Sequence, residues 1–458
     1  MRYSEYIGSR VDTIERYTLT PKFYPCPQCG RKGKRKQVVT RQIKHLAAVQ
    51  RRAWIIAQVG VYRARCSCSQ YFQAAIPGVP YKGRYSLEVR NYLSNALIRD
   101  RMPYRLVQQR LREDHFLEVS VGYIHACFLW AHAQINREEH WQFVQANFSG
   151  VLCIDEVHDS GRTILFATDP LNDFTVSFQL VEVNDQVHMD AFLQQLKERG
   201  LAVMVAISDG SPLYKDSLQS HWADIEHQLC VFHVIKEVNK LLLDGVRAIK
   251  NGLRRQGNKG CKRRAGRPSK RVQQQRQRRQ GMSKHEQATF IWEHQYLIVR
   301  KEDELTDEDQ DNLTLLFDIA PELALFRRFN QQFYRLFEKD LTQQQARYRR
   351  TRLINNPDYQ ANPFLAQAMK KLVKDKFEQM IVFLSWENVE RTNNHVERNN
   401  RAFRMLQKTR YKRRKQHTIE KALELDLYAR MLNHSLYQQK THTLPITLKE
   451  PSPLKKAA

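Results

Sequence analysis

The sequence has no long apolar segment and few cysteines. No apolar run approaches the roughly 18 residues of a membrane-spanning helix, and the N-terminus, MRYSEYIGSR, lacks the apolar core of a signal peptide. With eight cysteines in 458 residues and no secretion signal, a disulfide framework is the weaker explanation for close cysteine pairs. We therefore expect a cytoplasmic protein of roughly two to four domains.

Acidic residues are also in deficit. The chain has 75 Lys and Arg against 48 Asp and Glu, which gives a formal net charge of +27. Such a charge indicates a polyanionic partner, and nucleic acid is the commonest one for a soluble protein. An anionic membrane is the weaker alternative, because no strongly amphipathic basic helix stands apart from the globular segments.

The basic residues are densest in segment 250–284, which contains fourteen of them and no acidic residue. This segment has no apolar face, so we expect it to be disordered or to form an exposed arm. Arg264 and Arg267 lie in its RAGRP sequence, whose Gly-Arg-Pro core resembles an AT-hook that enters an A·T-rich minor groove. Generic attraction to phosphate is the broader interpretation of the same residues.

Two close cysteine pairs near the N-terminus predict a zinc site. Cys26 and Cys29 form a Cys-x-x-Cys knuckle, whereas Cys66 and Cys68 are separated by one residue, where two is usual. Four thiolates suit tetrahedral Zn²⁺, and the hairpin-like segment between the pairs, containing AWII and VGVY, is typical of a zinc ribbon. Four unrelated thiols are the alternative, and a redox Cys-x-x-Cys is disfavoured because no βαβ pattern surrounds it.

Residues 84–136 have the pattern of three short helices. Ser86 and Ser120 are placed to cap the first and third helices, and Pro103 marks the start of the second. Short helices with short turns and many arginines are typical of a helix-turn-helix unit that binds DNA. An ordinary helical linker domain is the alternative.

Segment 151–233 predicts three strands joined by tight turns, followed by helix, strand, helix, strand and helix. The first three strands should form an antiparallel meander. The first apolar run, VLCI, ends on Asp155, and the fourth strand, at 203–207, is closely followed by Asp209. Carboxylates at the mouth of a sheet often build metal sites, although aspartate is also common in turns.

A third acidic candidate follows a long helical segment at 287–384. Thr392 or Asn393 can cap a helix running to about residue 406, with Glu397 about one turn inside it. An i+4 surface pair between Glu397 and a nearby arginine is the alternative. The surrounding residues are strongly basic, and we expect DNA contacts from four of them: Arg398, Arg401, Lys412 and Arg413.

Asp155, Asp209 and Glu397 together predict a two-metal site in a protein that binds DNA. Mg²⁺, or Mn²⁺ in its place, is a hard cation that prefers oxygen ligands, while Lys and Arg neutralise the phosphate backbone. Two rivals exist. Glu156 neighbours Asp155 but points to the opposite face of the strand, and Glu390 would share a face with Glu397 if one helix ran through both.

The order of these motifs resembles that of DDE transposases from bacterial insertion sequences. The resemblance covers nearly the whole chain, and its motifs are the two aspartates above, the CVFH sequence at 230–233 and the TNNHVER sequence at 392–398. It implies a multidomain α/β fold: a ribonuclease H-like mixed sheet with flanking helices, a helical insertion, an N-terminal zinc ribbon and a helix-turn-helix.

The resemblance also implies residue roles and partners. Asp155, Asp209 and Glu397 would be the metal-binding triad, and Cys230 and His233 an accessory pair without an assigned metal. Cofactors would be Mg²⁺ or Mn²⁺ in the catalytic site and Zn²⁺ in the ribbon. The partner would be double-stranded DNA, both element ends and target, bound by a homodimer or larger assembly.

The activity implied is binding of the element's terminal repeats, cleavage of the 3′ ends and their joining to target DNA. A catalytically silent DNA-binding descendant and a structure-specific DNA nuclease are the alternatives. The expected segments are a zinc ribbon (1–80), a helix-turn-helix (84–140), the first part of the catalytic core (148–250), a basic arm with helical insertion (251–385), the last part of the core (386–436) and a tail (437–458).

Overall fold

The computed structural model describes residues 12–64, 71–159, 161–259, 282–407 and 413–439. The chain divides into two compact units. The first comprises Met1–Phe143 and Arg401–Thr441, and the second comprises Val144–Asn400 and His442–Ala458. The six expected segments are a finer division and stay a prediction. No helix in the described ranges combines the length and apolar character needed to cross a membrane.

The first unit contains a five-stranded sheet. Its strands are β1 (Asp12–Leu19), β2 (Phe23–Pro25), β3 (Lys32–His45), β4 (Arg52–Ala64) and β5 (Tyr71–Gln73). They are arranged in the order β1-β4-β3-β2, with β5 also paired to β4. Only the β1–β4 pairing is parallel among these strands.

The hairpin predicted between the cysteine pairs is wrong in its pairing, because AWII and VGVY do not form two paired strands. AWII and VGVY lie on one continuous strand, β4, and its antiparallel partner is β3. Alternate side chains of β4 are buried from Ala53 to Val59, so the period of two continues through Gln58 without a turn. The strand β3 carries mostly exposed, basic side chains, which hide its strand character in the sequence.

The three helices predicted for residues 84–136 are confirmed. They are α1 (Leu87–Ile98), α2 (Tyr104–His115) and α3 (Val121–Ala133), and they are followed by α4 (Arg137–Asn147). The Ser86 hydroxyl accepts a hydrogen bond from the backbone N–H of Val89, and the Ser120 hydroxyl accepts one from Tyr123. Both predicted N-caps are therefore present.

The second unit is built on a mixed sheet. Its strands are β6 (Val151–Asp159), β7 (Arg162–Asp169), β8 (Phe174–Val181), β9 (Val205–Ser208) and β10 (Glu226–Leu229). The order is β10-β9-β6-β7-β8, in which β6, β7 and β8 pair antiparallel, β9 is parallel to β6, and β10 is parallel to β9. The predicted antiparallel meander is thus confirmed.

The expectation that the first strand of this sheet ends on Asp155 is wrong. Strand β6 continues to Asp159, and Asp155 pairs with Phe166 of β7. The pairing with β9, however, extends only as far as Cys153 opposite Ile207. Asp155 therefore lies on β6 two residues beyond its last pairing with β9. Asp209 is the first residue after β9, so both acids follow the paired part of these two strands.

Helices follow strands of this sheet in the predicted order. They are α5 (Gln186–Glu198), α6 (Pro212–His221) and α7 (Val231–Lys259). The last is longer than expected, because the first part of the basic arm continues the helix. Leu253 is buried, and the Lys250 ammonium lies 4.3 Å from the ring centroid of Trp292. The rest of the arm, residues 260–281, falls outside the described ranges.

The insertion is helical, as predicted. Its helices are α8 (Lys284–His294), α9 (Asp307–Ile319), α10 (Glu322–Tyr334), α11 (Gln343–Ile354), α12 (Pro357–Ala361), α13 (Pro363–Met369) and α14 (Lys374–Met380). Four apolar residues spaced four apart begin with Leu325, which is half-buried, and the other three, Phe329, Phe333 and Phe337, are buried in the core. Helix α15 (Asn394–Gln407) follows, and α16 (Gln416–Asn433) and α17 (Ser435–Gln439) complete the described chain.

Candidate active site

Asp155 lies on β6 at the point where the strand leaves β9. The apolar run before it, Val151 to Ile154, is fully buried, which fixes the strand inside the sheet. One carboxylate oxygen, Oδ2, accepts a hydrogen bond from the Asn400 side-chain amide at 2.6 Å. Asn400 is on α15, so this bond joins the helix to the strand.

Asp209 directly follows β9. Its Oδ1 accepts a hydrogen bond from the backbone N–H of Ser211 at 2.8 Å. Ser211 in turn caps α6 with its hydroxyl. Asp209 therefore closes the turn between strand and helix with one oxygen, in keeping with the ordinary preference of aspartate for turns.

Glu397 is in the first turn of α15, as predicted. Its Oε1 lies 3.8 Å from Nε2 of His233 on α7. Asn393 precedes the helix, and its backbone oxygen accepts a hydrogen bond from the Glu397 N–H at 3.2 Å. The Glu397 carboxylate thus lies near the imidazole of the CVFH motif, and the two form an ion pair only when the imidazole is protonated.

Asp155 is within electrostatic reach of the other two acids. Burial, together with the negative charges of Glu156, Asp209 and Glu397, raises the pKa of Asp155 from 3.8 to about 7. Each of the three is directed to a different partner, however: Asp155 to Asn400, Asp209 to Ser211 and Glu397 to His233. Within the described ranges, no three His, Cys, Asp or Glu side chains form a group that could hold a metal ion.

Asn393 anchors the start of α15. It is fully buried, its side-chain amide donates to the Ile154 carbonyl at 3.0 Å, and its backbone N–H donates to Sγ of Cys230 at 3.2 Å. These bonds fasten the beginning of α15 both to β6, one residue before Asp155, and to the end of β10. The sequence predicted the capping position but not these two bonds.

Cys230 and His233 are at the junction of β10 and α7. Burial raises the pKa of the Cys230 thiol, and backbone N–H groups of Asn393, His233 and Phe232 oppose that rise by hydrogen bonding to the sulfur. The thiol therefore lies at the N-terminus of α7, where backbone N–H groups have no acceptor within the helix. The Cys-x-x-His spacing places His233 one turn along α7, facing Glu397.

The two rival acids occupy other environments. Glu156 accepts hydrogen bonds from the hydroxyl of the buried Tyr214 and from the side chain of Asn184. Glu390 lies before α15 rather than inside it, and its Oε1 is 3.5 Å from the Lys339 ammonium. Since no helix continues through Glu390 and Glu397, the reason for regarding Glu390 as an alternative is removed.

The expected zinc ligands are only partly described. Cys26 is buried and Cys29 exposed, and the turn between them and Gly30 is closed by a hydrogen bond from the Gly30 N–H to the Cys26 carbonyl. Gly30 has a φ of 70°, which favours glycine there. Cys66 and Cys68 lie outside the described ranges, so the zinc ribbon stays a prediction.

The basic residues expected to contact DNA differ in exposure. Arg398 is exposed and donates to Asp173 at 3.4 Å, and Arg401 is exposed as well. Arg413 is half-buried with its guanidinium 5.7 Å from the ring centroid of Phe128 in the first unit. Three further candidates, Arg264, Arg267 and Lys412, fall outside the described ranges.

A basic cleft in the first unit was not foreseen from the sequence. Its volume is about 330 Å³, and it lies where β3 and β4 face α2 and the residues after it. The lining has one carboxylate, Glu118, against several cationic groups, two imidazoles and two aromatic rings: Lys44, Arg52, Arg112, His45, His115, Trp54 and Phe116. These residues are spread over 75 positions of sequence, so only the fold brings them together.

Comparison with known proteins bears on the second unit above all. A family model, DDE_Tnp_ISL3, described as "Transposase", matches residues 152–415, which is more than half of the chain. Among solved structures, the "Drosophila P element transposase strand transfer complex" aligns with 74% of this chain and 92% of that chain, at 13% identity and a TM-score of 0.36. No curated protein matches the sequence.

Proposed function

Because the chain belongs to the ISL3 family of transposases, we propose that it binds the terminal repeats of an insertion sequence and catalyses metal-dependent DNA strand cleavage and strand transfer. Membership of the family implies an enzyme that cuts and joins DNA. The observation that carries the finer proposal is that the charges of Asp209 and Glu397 contribute to the raised pKa of Asp155, because these are the three acids that the motif order singles out.

The sheet of the second unit supports a ribonuclease H-like catalytic core. Three antiparallel strands are followed by two parallel ones that add on the other side of β6, with helices after β8, β9 and β10. This arrangement brings the residues after β9 beside the middle of β6. Helix α15, which is remote in sequence, returns to the same place through Asn393 and Asn400.

By the chemistry of their donor atoms, the three acids suit a divalent metal, although in the described ranges their side chains are not gathered into a metal-binding group. The described site offers three carboxylates, the donor type that Mg²⁺ and Mn²⁺ prefer, and their repulsion contributes to the raised pKa of Asp155. A bound divalent cation would activate the attacking water or 3′-hydroxyl and stabilise the leaving oxygen. Asp155, Asp209 and Glu397 would be the residues that hold the metal.

The remaining residues of the site would position the acids and the DNA. Asn393 fixes the start of α15, and the His233 imidazole would form an ion pair with Glu397 when protonated. Arg398 and Arg401 are exposed on the same helix, and they would contact the phosphate backbone.

The first unit would bind the element ends. Its helices α1 to α3 have the lengths and short connections of a helix-turn-helix, and its basic cleft offers Lys44, Arg52 and Arg112 for phosphate contacts. Two ends must be brought together for transposition, so the active form on DNA would be a homodimer or a larger assembly.

The test is cleavage of a duplex carrying the DNA that flanks this gene, with Mg²⁺ and with EDTA. Wild type should cut at a flanking repeat only with Mg²⁺, and Glu397→Gln should bind the same duplex without cutting it. Glu390→Gln is the matched control, since Glu390 lies on the same segment but outside α15, and it should cut like wild type.

The outcomes separate the candidate functions. Binding without Mg²⁺-dependent cutting by wild type would favour a silent DNA-binding descendant. Cutting without joining of a free 3′-hydroxyl to a second duplex would favour a nuclease. Loss of cutting in Glu390→Gln but not in Glu397→Gln would identify Glu390, rather than Glu397, as the third acid of the site.

A further inference from the structure

Asn400 is buried beside the most deeply placed acid of the site. Its side chain is 3% exposed, and its Nδ2 donates to Oδ2 of Asp155 at 2.6 Å. Asn400 follows Glu397 by three residues on α15, so both side chains lie on neighbouring parts of one helical face. The same helical turn therefore carries one acid and holds a second.

The chemistry of this bond favours one orientation of both groups. An ionised carboxylate can only accept, and the amide of asparagine can donate only through its nitrogen. The other end of the amide, Oδ1, is buried without a hydrogen-bond partner among the described residues. Within the described ranges, Oδ1 of Asn393 is also buried without a hydrogen-bond partner, so it is the donor end of the Asn400 amide that sets Asn400 apart.

Two neighbouring asparagines show what structural roles look like on this helix. The Asn399 side chain accepts from the Thr175 hydroxyl at 2.9 Å and donates to the His395 carbonyl at 3.4 Å. Asn393 uses its amide to hold the Ile154 backbone. Asn400 differs from both, because its partner is the carboxylate of a proposed metal ligand rather than a neutral group.

We propose that Asn400 is a positioning residue, which fixes the Asp155 carboxylate relative to Glu397 so that the two acids present their free oxygens to the same divalent cation. The inference rests on the proposed function, since it assigns a task only if Asp155 and Glu397 are metal ligands. Groups that hold metal ligands in place typically change metal affinity or activity by about 10- to 100-fold when they are removed.

The variants to compare are Asn400→Ala, which removes the donor, and Asn400→Asp, which keeps the shape but replaces the donor by an acceptor. Asn399→Ala is the matched control from the adjacent position of α15. Mn²⁺ binding to the full-length protein is measured by electron paramagnetic resonance without DNA. The Mg²⁺ dependence of flanking-repeat cleavage, duplex binding and the Tm in EDTA are measured alongside.

Asn400→Ala should bind Mn²⁺ about 10- to 100-fold more weakly and need correspondingly more Mg²⁺ for cleavage. Asn400→Asp should bind duplex DNA like wild type but cleave less than Asn400→Ala at the same Mg²⁺ concentration, because a fourth carboxylate would repel Asp155. Asn399→Ala should bind Mn²⁺ like wild type. A purely structural role would lower the Tm without changing Mn²⁺ affinity.

Wild-type Mn²⁺ affinity in a folded Asn400→Ala, with wild-type cleavage intact, would overturn this inference and leave the proposed function standing. If wild type itself bound no Mn²⁺ and cut no DNA, the proposed function would fail and this inference with it. Weakened Mn²⁺ binding in Asn400→Ala, with unchanged duplex binding, would support the positioning role even if cleavage were too slow to measure.

Discussion

Asp155 and Asp169 are aspartates on adjacent antiparallel strands of one sheet, and burial raises the pKa of both. Their hydrogen-bonding environments differ, although both carboxylates accept from backbone N–H groups. Asp169 accepts from the backbone and hydroxyl of Ser149 and from the N–H groups of Leu171 and Asn172. Asp155 has the Asn400 amide as side-chain donor and faces the charges of three other acids.

The difference leads us to assign Asp169 to the fold, whereas Asp155 is the proposed metal ligand. Donors from its own strand connections partly offset the cost of burying the Asp169 charge, although its pKa is still raised. Asp155 is buried among like charges, which is unfavourable unless a cation or a proton is present. Substitutions, pH and Mg²⁺ should therefore affect Asp155 and Asp169 differently, and four predictions follow from that difference.

The largest effect should come from exchanging each aspartate for asparagine. Asp155→Asn should reduce Mg²⁺-dependent cleavage by about 10³-fold or more, because a metal ligand supplies several kcal/mol of transition-state stabilisation. Asp169→Asn should leave the cleavage rate of the folded enzyme unchanged but lower the free energy of unfolding by about 3 kcal/mol, because an NH₂ group would then face N–H donors. Cleavage assays and denaturant titrations measure the two quantities.

If the assignment is correct, Asp155→Asn should lose cleavage without losing stability, and Asp169→Asn should lose stability without losing cleavage. Asp155→Asn should be at least as stable as wild type in EDTA, since it removes a buried charge next to other acids. A large loss of stability in Asp155→Asn, together with loss of cleavage in a folded Asp169→Asn, would reverse the assignment.

The second prediction concerns pH. The pKa of Asp155 is about 7 in the folded protein and 3.8 when unperturbed. The folded state therefore keeps a proton that the unfolded state has lost, and stability in EDTA should fall as pH rises from about 4 to about 7. At about 1.4 kcal/mol per pKa unit, the loss is at most about 4 kcal/mol.

The measurement is the difference in unfolding free energy between wild type and Asp155→Asn across this window. The difference isolates Asp155 because other groups titrate in both proteins. One of them is His227, whose burial lowers its pKa to about 4 and which therefore makes stability fall as pH drops from 6.5. Parallel stability curves for the two proteins would show that Asp155 has no raised pKa.

The third prediction is that Mg²⁺ stabilises wild type but not Glu397→Gln. A ligand at 100 times its Kd stabilises the folded state by about 2.7 kcal/mol, which is several degrees of Tm in a protein of this size. The cation should act at Asp155 and leave the Asp169 environment unaffected, so Asp169→Asn should gain as much from Mg²⁺ as wild type does. Equal gains in wild type and Glu397→Gln would place the cation elsewhere.

The strands that carry both aspartates could be predicted from the sequence, but the contrast between the two side chains could not. The buried runs VLCI and TILFA, with turn residues between them, were sufficient for the antiparallel meander. The end of β6 was placed too early because Asp155 and Glu156 are polar, yet both pair with β7. Polar residues inside a strand are compatible with it when the sheet itself supplies the backbone hydrogen bonds.

The roles of the asparagines could not be predicted. Asn393, Asn394, Asn399 and Asn400 are chemically identical in the sequence, and only the packing of α15 on the sheet decides which of them meets Asp155. The four donors to Asp169 likewise come from two separate connections of the chain. The basic cleft of the first unit was missed for the same reason, because its residues have no common local pattern.

The smallest expected effect is that of Ser149→Ala. This change removes one donor to Asp169, the Ser149 hydroxyl at 2.9 Å, and keeps the Ser149 N–H that donates at 2.7 Å. Three donors remain, so the free energy of unfolding should fall by only about 1 kcal/mol, the usual net worth of one hydrogen bond, with cleavage and its Mg²⁺ dependence unchanged. Asn400→Ala makes the same kind of deletion at Asp155, and there the larger change should be in metal affinity. If Ser149→Ala altered the Mg²⁺ dependence of cleavage, Asp169 would be coupled to the site, and the division between the two aspartates would be false.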